Sequence, residues 1–510
     1  MTAIEIYPGR TGMHRSLQEI TAQHAVSPSP QQLPMTASRL LTLEREQRCQ
    51  ALEHADRQVL QGIIEAHLNP RGCAEAIAVA RAMHARSGQP GRLRHRGWKR
   101  VRFQLRNGLV VRMDTPYLRP KVRRRGRRRG TGRRREGGAG VFPMLDQLGI
   151  HQGVTPALRE EVALQAVVSD SLREARTRLA RDGVRLDIDT LVNVAVATGE
   201  RAQTLCDAAL ALARKEPLPT HSSLSCRHIQ VSIDGGRART RTTQVGSRVG
   251  KNGRRPFEMD WREPRLVTLV VLKDDGGMDR RVKPIYLVSL GNADAVATQV
   301  VGLLRHVGAH LAASVSFVCD GASWLWARLS SIAQAAGLEE DRVEYALDFW
   351  HACEYVSDAL KLCKHFSEAE RTSLYQSLRR RLRDEADGAT AVIEHLLSLA
   401  VGRRARALKK KVSYLEEHLE HMNYASLRAR NLPIGSGVVE SAIRRVINQR
   451  FKSASLFWRE DHLEPLLNLR ALWKSGRWED FVTAQVQDRF WLHPTSLIPK
   501  NIENAQEKAA

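Results

Sequence analysis

The sequence lacks long hydrophobic runs and is short of acidic residues. No apolar stretch approaches the roughly 18 residues that a membrane-spanning helix needs, so no membrane partner is expected. The opening residues, MTAIEIYPGRTGMHR, have no apolar signal-peptide core, which predicts a cytoplasmic location. Only 55 acidic residues stand against 80 Lys and Arg, a net charge of +25. A surplus of this size predicts a polyanionic partner, with nucleic acid first.

Cysteine pairs are missing as well. The seven cysteines are scattered without a Cys-x-x-Cys pair, which argues against a disulfide framework and a zinc ribbon.

A chain of 510 residues is long enough for two to four domains of roughly 100 to 200 residues each. Composition and periodicity predict these segments: a poorly ordered N-terminus (1–35), a helical region (36–95), a basic hairpin with an Arg-rich linker (96–141), a helical DNA-binding domain (142–220), an α/β core (226–351), a helical insertion (352–432), the return to the core (433–475) and a C-terminal tail (476–510).

A basic segment follows a predicted hairpin. Residues 101–113, VRFQLRNGLVVRM, contain Asn107-Gly108, the pair that a type I′ turn favours. Residues 119–135 then hold eleven basic residues and no acid. Such a run repels itself and neutralises phosphates without reading bases; a solvated linker is the alternative. Its candidate DNA contacts are Arg123, Arg124, Arg125, Arg127, Arg128 and Arg129.

Three helices with short connections are predicted after this segment. Thr155-Pro156 opens the first, over 154–168; Ser169 or Asp170 caps the second, over 171–181; the third runs from about 187 towards 213. The pattern fits a helix-turn-helix whose third helix enters a major groove. It fits an ordinary helical bundle equally well.

Two apolar strands end in Asp-Gly. They are HIQVSIDGG (228–236) and SVSFVCDG (314–321), which carry Asp234 and Asp320. A carboxylate at a strand end, facing a turn that glycine permits, is a good cation ligand. Strands and helices in this region alternate as βββαβαβ, the order of a ribonuclease H-like sheet. Since the first and fourth strands of that sheet are neighbours, we expect Asp234 close to Asp320.

A third carboxylate follows the helical insertion. After the breaker PIGSG (433–437), a helix is predicted over 438–451, with Val439, Ile443 and Val446 as its core stripe. Glu440 falls on the neighbouring stripe and would meet the two aspartates if this helix packs on the sheet edge. Three carboxylates in a basic protein suit phosphoryl transfer with two Mg²⁺ ions, or Mn²⁺ in their place: Asp234 would bridge both, and Asp320 and Glu440 would hold one each. The alternative is a set of turn and surface acids.

Four segments together carry a family resemblance. SIDGG (232–236), VCDGASWLW (318–326), LDFWHACEYV (347–356) and IGSGVVESAIRRVINQRFKS (434–453), with Trp458, resemble the DDE transposases of bacterial insertion sequences. The closest resemblance is to the ISKra-type group, related to Mutator-like transposases. It covers 226 to about 475, and 142–215 more weakly. Relatives often carry cysteine pairs near the basic hairpin, whereas this chain has arginines there, which argues against a zinc-dependent N-terminal module.

The resemblance implies a function. Asp234, Asp320 and Glu440 would be the metal-binding catalytic triad, with Asp348 and His351 as an accessory Asp-x-x-His. The enzyme would bind the terminal inverted repeats of its element in double-stranded DNA, cleave, and transfer the strand to target DNA, as a homo-oligomer on the nucleoid. Arg444, Arg445 and Lys452 would hold backbone phosphates. The alternatives are an inactive domesticated DNA-binding relative and a plain ribonuclease H-like nuclease.

Three further patterns admit plainer interpretations. GSRVGKN (246–252) resembles a phosphate-binding loop but is one residue short and lacks the Ser or Thr that would hold Mg²⁺, so a hairpin loop is expected. His418 and His421 with Glu417 lack the HExxH arrangement, so a solvated helix face is expected. His351 either positions the scissile phosphate or satisfies a core hydrogen bond.

Overall fold

The structure is a computed structural model of the 510-residue chain. It describes residues 4–7, 15–16, 36–46, 52–87, 91–120, 140–244, 256–452 and 456–498. The six arginines predicted at 123–129, the 246–252 loop and most of residues 1–35 lie outside the described residues. The chain divides into two compact units, Met1–Thr198 with Val482–Arg489, and Gly199–Phe481 with Phe490–Ala510. Across the described ranges, none of the helices has both the length and the apolar character that crossing a bilayer requires.

The first unit contains an antiparallel sheet and helices. The sheet has the strand order β2-β1-β4-β3, with a core that includes Val59, Phe103 and Met113. Its elements are β1 Ile4–Tyr7, β2 Arg15–Ser16, α1 Ala37–Glu46, α2 Leu52–Leu68, α3 Pro70–Arg86, β3 Leu93–Gln104, β4 Val110–Pro120, α4 Pro143–Gln147, α5 Pro156–Val168, α6 Leu172–Arg181 and the start of α7 Ile188–Ala213.

The predicted hairpin is present as β3 and β4, but its turn differs from the prediction. Residues 105–109 form the connection, which is longer than a two-residue type I′ turn. Gly108 has a φ of +87°, whereas Asn107 keeps a negative φ and accepts a hydrogen bond from the Leu109 amide at 2.9 Å. A Cβ on Gly108 would lie 2.3 Å from the Gly183 carbonyl oxygen. The loop is therefore shaped by close packing against another backbone segment as well as by local turn chemistry.

The three predicted helices of this unit are α5, α6 and α7. Thr155 is the N-cap residue of α5 and Pro156 occupies its first turn, as expected. The cap of α6 is Ser171, whose side chain accepts a hydrogen bond from the Glu174 amide at 3.1 Å. The prediction of Ser169 or Asp170 as this cap was wrong, because α6 begins one residue later than expected.

The second unit is built around a five-stranded mixed sheet. Its strand order is β11-β10-β5-β8-β9; β5, β10 and β11 are parallel, and β8 is antiparallel to β5 and β9. The predicted adjacency of the first and fourth strands of the region is thereby confirmed. The elements are β5 His228–Gly235, β6 Ala238–Gln244, β7 Phe257–Arg262, β8 Arg265–Val271, β9 Ile285–Ser289, α8 Ala293–Val307, β10 Ser314–Cys319, α9 Ser323–Ala335 and β11 Val343–Leu347.

A second, three-stranded sheet of this unit was not predicted. β12, Trp458–Arg459, pairs in parallel with β6, and β6 pairs antiparallel with β7. Ala238 and Thr240 of β6 are fully buried, whereas β7 is mostly exposed. β6 therefore has one packed face, whereas β7 is exposed on both of its faces.

A helical insertion separates β11 from the last predicted helix. Its helices enclose a core of their own that includes Val356, Leu396, Val412 and Tyr424. The predicted helix over 438–451 is present, with Val439, Ile443 and Val446 buried as expected, but it contains a π-helical turn at Arg444–Asn448. The remaining helices are α10 Phe349–Leu362, α11 Glu368–Asp384, α12 Gly388–Ser398, α13 Ala405–Glu417, α14 Tyr424–Ala429, α15 Gly437–Ile443, α16 Gln449–Phe451, α17 Glu460–Lys474 and α18 Trp478–Gln485.

Candidate active site

Asp234 and Asp320 lie at the same edge of the five-stranded sheet. Asp234 is near the end of β5, and Asp320 follows directly after β10. In the parallel register of these strands Val231 pairs with Phe317. Three further residues along each strand bring Asp234 level with Asp320. Strand order alone thus places two carboxylates side by side, as the sequence pattern predicts.

The charges of the two aspartates are poorly compensated. Burial, followed by the negative charge of Asp320, raises the pKa of Asp234 to about 6. Burial also raises the pKa of Asp320, and the charges of Asp348 and Glu263 add to this increase. One backbone amide partly offsets each effect: Gly235 donates to Asp234 Oδ1 at 2.6 Å, and Ala322 donates to Asp320 Oδ1 at 3.3 Å. A positive charge placed between the carboxylates would relieve their repulsion.

The glycines after the aspartates are needed for close packing. A Cβ on Gly321 would lie 2.0 Å from the Tyr414 hydroxyl oxygen, and one on Gly236 would lie 2.6 Å from Ile447 Cδ1. A Cβ on Gly235 would lie 2.5 Å from a Glu263 carboxylate oxygen. These three glycines do not adopt a positive φ. The expected glycine-permitted turn was therefore wrong, since side chains from distant segments occupy the space that a Cβ would need.

Glu440 lies on a helix that packs against the same sheet and is joined to it by hydrogen bonds of the preceding segment. The segment before α15 is held by three hydrogen bonds: Gln230 Nε2 donates to the Gly435 carbonyl at 3.0 Å, the Phe349 amide donates to the Ile434 carbonyl at 2.9 Å, and the Ser436 amide donates to the Asp348 carboxylate. α15 itself contacts β5 and β8. The helix that carries Glu440 therefore packs on the strand that carries Asp234.

The three carboxylates do not form a closed cluster. Glu440 is exposed, and its charge makes a small contribution to the raised pKa of Asp234. Among the side chains that the structure describes, no group of three His, Cys, Asp or Glu residues is arranged to hold a metal ion. The structure thus brings Asp234 and Asp320 together as a pair and leaves Glu440 at the edge of this pair.

Asp348 has a structural role that its sequence motif did not indicate. It is fully buried and caps α10, where Oδ1 accepts hydrogen bonds from the amides of Trp350 (2.6 Å) and His351 (3.0 Å). Oδ2 accepts the bond from Ser436. Both oxygens are therefore engaged with backbone amides. Asp348 links the end of β11 to the segment that begins the Glu440 helix.

His351 lies beside the aspartate pair. Its ring is half-buried, and a positive charge on this ring lowers the pKa of both Asp234 and Asp320. Its Nδ1 is 3.5 Å from a carboxylate oxygen of Glu354. This arrangement places a protonatable group where it stabilises the ionised aspartates.

Trp326 of α9 contacts Asp320 and packs against two histidines of the insertion. The Trp326 indole donates to the Asp320 carbonyl oxygen at 2.6 Å and stacks on His421, with ring centroids 4.2 Å apart. His418 is only 8% exposed, and burial lowers the pKa of both histidines. The predicted solvated face for His418 and His421 was therefore wrong. The motif VCDGASWLW contained Trp326, but its role depends on neighbours that the local pattern cannot reveal.

The proposed phosphate-binding residues differ in their surroundings. Arg444 and Lys452 are exposed. Arg445 is half-buried, and its guanidinium donates to the Tyr286 hydroxyl at 2.9 Å and to the Ser441 carbonyl at 3.2 Å. Arg444 and Lys452 are therefore accessible to a phosphate as they stand, whereas Arg445 already has protein partners.

Comparisons with known proteins give one distant likeness. No protein-family model matches the chain, and no curated protein matches it. Among solved structures, the chain shows similarity to a "Drosophila P element transposase strand transfer complex", with 9% sequence identity over 72% of this chain and 88% of that chain and a TM-score of 0.22. A TM-score of this size does not establish a common fold.

Proposed function

We propose that the chain is a DDE-type transposase with a ribonuclease H-like core, which cleaves DNA at the ends of a mobile element and transfers the freed strand. The observation that carries this proposal is the pair Asp234 and Asp320 at the ends of adjacent parallel strands. The helix of Glu440 packs on the same sheet. The strand order β11-β10-β5-β8-β9, with β8 antiparallel to its neighbours, supports the proposed fold.

The donor set suits a hard divalent cation. Asp234 and Asp320 offer carboxylate oxygens, the ligands that Mg²⁺ and Mn²⁺ prefer. Burial and the neighbouring charge raise the pKa of Asp234 to about 6. The raised pKa shows that the ionised form is disfavoured, and a bound cation would remove this electrostatic penalty. Asp234 and Asp320 would hold the metal, and Glu440 is proposed as the third ligand.

The residues around the pair have distinct proposed tasks. Metal ions bound here would activate an attacking water or 3′-hydroxyl and stabilise the leaving oxygen. His351, which favours the ionised form of both aspartates, would also face the scissile phosphate. Arg444 and Lys452 would contact backbone phosphates and orient the DNA without reading its sequence. Asp348 would act as a positioning residue, because both of its oxygens already accept backbone hydrogen bonds.

The rest of the chain supplies the proposed DNA affinity. The net charge of +25 favours a polyanion, and α5, α6 and α7 are the candidate helices for reading the terminal inverted repeats. Arg123 to Arg129 would add phosphate contacts that do not depend on sequence. Joining two ends of one element would require a homo-oligomer.

The decisive experiment measures nicking and strand transfer on DNA that carries the element ends, with Mg²⁺ supplied. Asp234→Asn, Asp320→Asn and Glu440→Gln should each lower cleavage by about a hundredfold or more while duplex binding in EDTA is retained. Asp275→Asn is the matched control, because Asp275 is an exposed acid paired with Lys273 at 2.5 Å. A variant that keeps near-normal nicking removes that residue from the proposed site.

Two outcomes would redirect the proposal. Cleavage without strand-transfer products, when a 3′-hydroxyl end is supplied, would indicate a plain nuclease of the same fold. Specific binding to element ends without any metal-dependent nicking would indicate an inactive DNA-binding relative.

A further inference from the structure

We infer that the outward face of the β6–β7 hairpin is a stacking platform for an unpaired DNA strand that leaves the active site; this inference rests on the proposed function. Arg237, Arg239 and Arg241 alternate along the chain with the fully buried Ala238 and Thr240. Because side chains alternate between the two faces of a strand, Arg239 and Arg241 of β6 share the outward face, and the exposed Arg237 lies one residue before this strand. They form a row that starts three residues after Asp234.

The same face carries exposed aromatic and apolar side chains. In the β6–β7 register, Trp261 pairs with Arg239 and Met259 pairs with Arg241. Trp261 is 47% exposed, Met259 53% and Phe257 37%. The acids of β7, Glu258 and Asp260, alternate to the other face. The outward face thus combines positive charge with exposed apolar surface.

Contacts among these side chains hold the platform in place. The Arg239 guanidinium lies 5.6 Å from the Trp261 ring centroid and 5.0 Å from that of Phe457. Phe457 also contacts Phe257, with centroids 5.1 Å apart. Contact of one cation with two rings restricts the rotamers of all three residues. A surface that is ordered before binding loses less conformational entropy when a ligand is bound.

The location connects this face to the proposed chemistry. β6 begins four residues after Asp234, and the turn after β7 contains Glu263, whose carboxylate lies against Gly235. The seven residues of β6 span about 23 Å, the length of several stacked nucleotides at about 3.4 Å each. Both ends of this hairpin therefore begin beside the proposed site, where the platform could receive a strand that leaves Asp234.

An unpaired strand suits this surface better than other partners. Aromatic side chains and arginine bind single strands by stacking on exposed base faces, which a continuous duplex keeps covered. A symmetric contact with a second copy would bring the same patch against itself, so that the arginine rows would repel one another. Arg459 pairs with Arg241 in the strand register and so lies on the outward face as well. Its Nε donates to Asp461 Oδ1 at 3.0 Å, so this arginine is not counted in the platform.

The test compares two DNA probes in EDTA, where cleavage does not interfere. One is a blunt duplex, and the other is the same duplex with an unpaired thymidine overhang; binding is measured by fluorescence anisotropy. Trp261→Ala should weaken binding of the overhang probe by about fivefold or more and leave blunt-duplex binding unchanged. Trp473→Ala is the matched control, because Trp473 is a similarly exposed tryptophan (39%) and should alter neither affinity.

Three outcomes would overturn the inference. Trp261→Ala could leave the affinity for the overhang probe unchanged, or it could lower the affinity for both probes equally. It could also change the sedimentation of the protein relative to the wild type, which would show that this face is a contact between two copies. Thermal melting of each variant by circular dichroism shows whether it is folded. Failure of the proposed function is separate, because it would appear as normal cleavage by Asp234→Asn, whereas failure of this inference would appear in the binding measurements made in EDTA.

Discussion

Asp234 has the largest pKa shift among the proposed catalytic residues. Its pKa rises to about 6 because the carboxyl group is partly buried and lies next to Asp320. At neutral pH the Asp234 carboxyl is nevertheless mostly ionised, and the negative charge of Asp320 repels it. Hydrogen bonds from single backbone amides reduce this repulsion without removing it. The pair is therefore arranged to bind a proton at low pH or a cation at neutral pH.

A pH dependence of stability follows from this shift in EDTA. The pKa of Asp234 is higher in the folded chain than its ordinary value of 3.8, so the folded state binds more protons between about pH 4 and pH 6. The free energy of unfolding should fall as pH rises through this window, and the penalty should be complete at pH 7. Asp234→Asn should then be more stable than the wild type by roughly 1 to 3 kcal/mol at pH 7, with the difference vanishing near pH 4. Urea denaturation followed by tryptophan fluorescence would measure the unfolding free energy of the wild type and of the variant at each pH.

Asp275 provides a control of opposite sign. Its hydrogen bond from Lys273 holds its pKa below the ordinary value, so this acid favours folding above pH 4 and loses that contribution as pH falls. Asp275→Asn should not be stabilising at pH 7. If Asp234→Asn were less stable than the wild type at pH 7 in EDTA, the electrostatic description of the pair would be incorrect.

Among the elements, α15 owes its position to the segment 434–436. Three hydrogen bonds connect this segment to β5, to Asp348 and to the start of α10. A π-helical turn follows α15 at Arg444–Asn448, a feature often found near functional sites. The position of Glu440 is therefore determined by the hydrogen bonds of the segment before its helix and by the π-helical turn that follows it.

Replacing Asp348 by Asn should separate its two structural roles. The Asn oxygen can still accept the bonds that cap α10, but its amide group would present N–H donors to the Ser436 amide. The Ser436 bond should be lost, with a cost of about 1 to 3 kcal/mol in unfolding free energy. Hydrogen exchange of the peptide 433–440 should accelerate, while that of α10 should change little.

Asp187→Asn is the matched control, because the Asp187 carboxylate also accepts two hydrogen bonds at the start of a helix. The Thr190 amide donates one at 2.6 Å, and the Thr190 hydroxyl donates the other at 2.9 Å. This variant should leave exchange at 433–440 unchanged. Loss of cleavage by Asp348→Asn without faster exchange there would show that Asp348 acts on the reacting groups instead.

The sequence was a good guide to elements with capped ends and buried faces. The βββαβαβ order predicts a helix before the fourth strand, and α8 Ala293–Val307 takes this place, because Asn292 caps its start and Gly308, with a φ of +70°, ends it. The strands of the five-stranded sheet were also located, since their buried residues form clear apolar runs. The hairpin loop expected at 246–252 implies a strand on either side, but the bounds of β6 and β7 were not predicted, because the exposed side chains of β7 give no apolar face that indicates a core. The π-helical turn was missed because Val439, Ile443 and Val446 stay buried despite it.

The same distinction applies to the candidate site. The nearness of Asp234 to Asp320 follows from strand order, which periodicity reveals. The packing of Gly321 against Tyr414 and the bond from Ser436 to Asp348 depend on residues far apart in the chain. The exposure of Glu440 depends on how its helix lies on the sheet. Local patterns therefore identified the two strand-end acids, whereas the surroundings required the structure.

For the whole molecule, the distribution of positive charge is the dominant property. The net charge is +25, and residues 119–135 contribute eleven of the 80 basic side chains. Each Lys or Arg that neutralises a DNA phosphate releases counterions, so affinity for DNA should fall steeply with salt. The slope of the logarithm of affinity against the logarithm of salt concentration counts these contacts.

The Arg-rich run allows this count to be tested. Replacing Arg123, Arg124, Arg125, Arg127, Arg128 and Arg129 by Gly and Ser should make the slope shallower by up to about five, since each contact with duplex DNA contributes about 0.9. Preference for element ends over random duplex should persist, because phosphate contacts carry no sequence information. Permuting residues 121–135 without changing their composition is the control and should preserve the slope. Binding isotherms at several salt concentrations measure all three chains; an unchanged slope after the replacement would leave the run as a spacer between its neighbours.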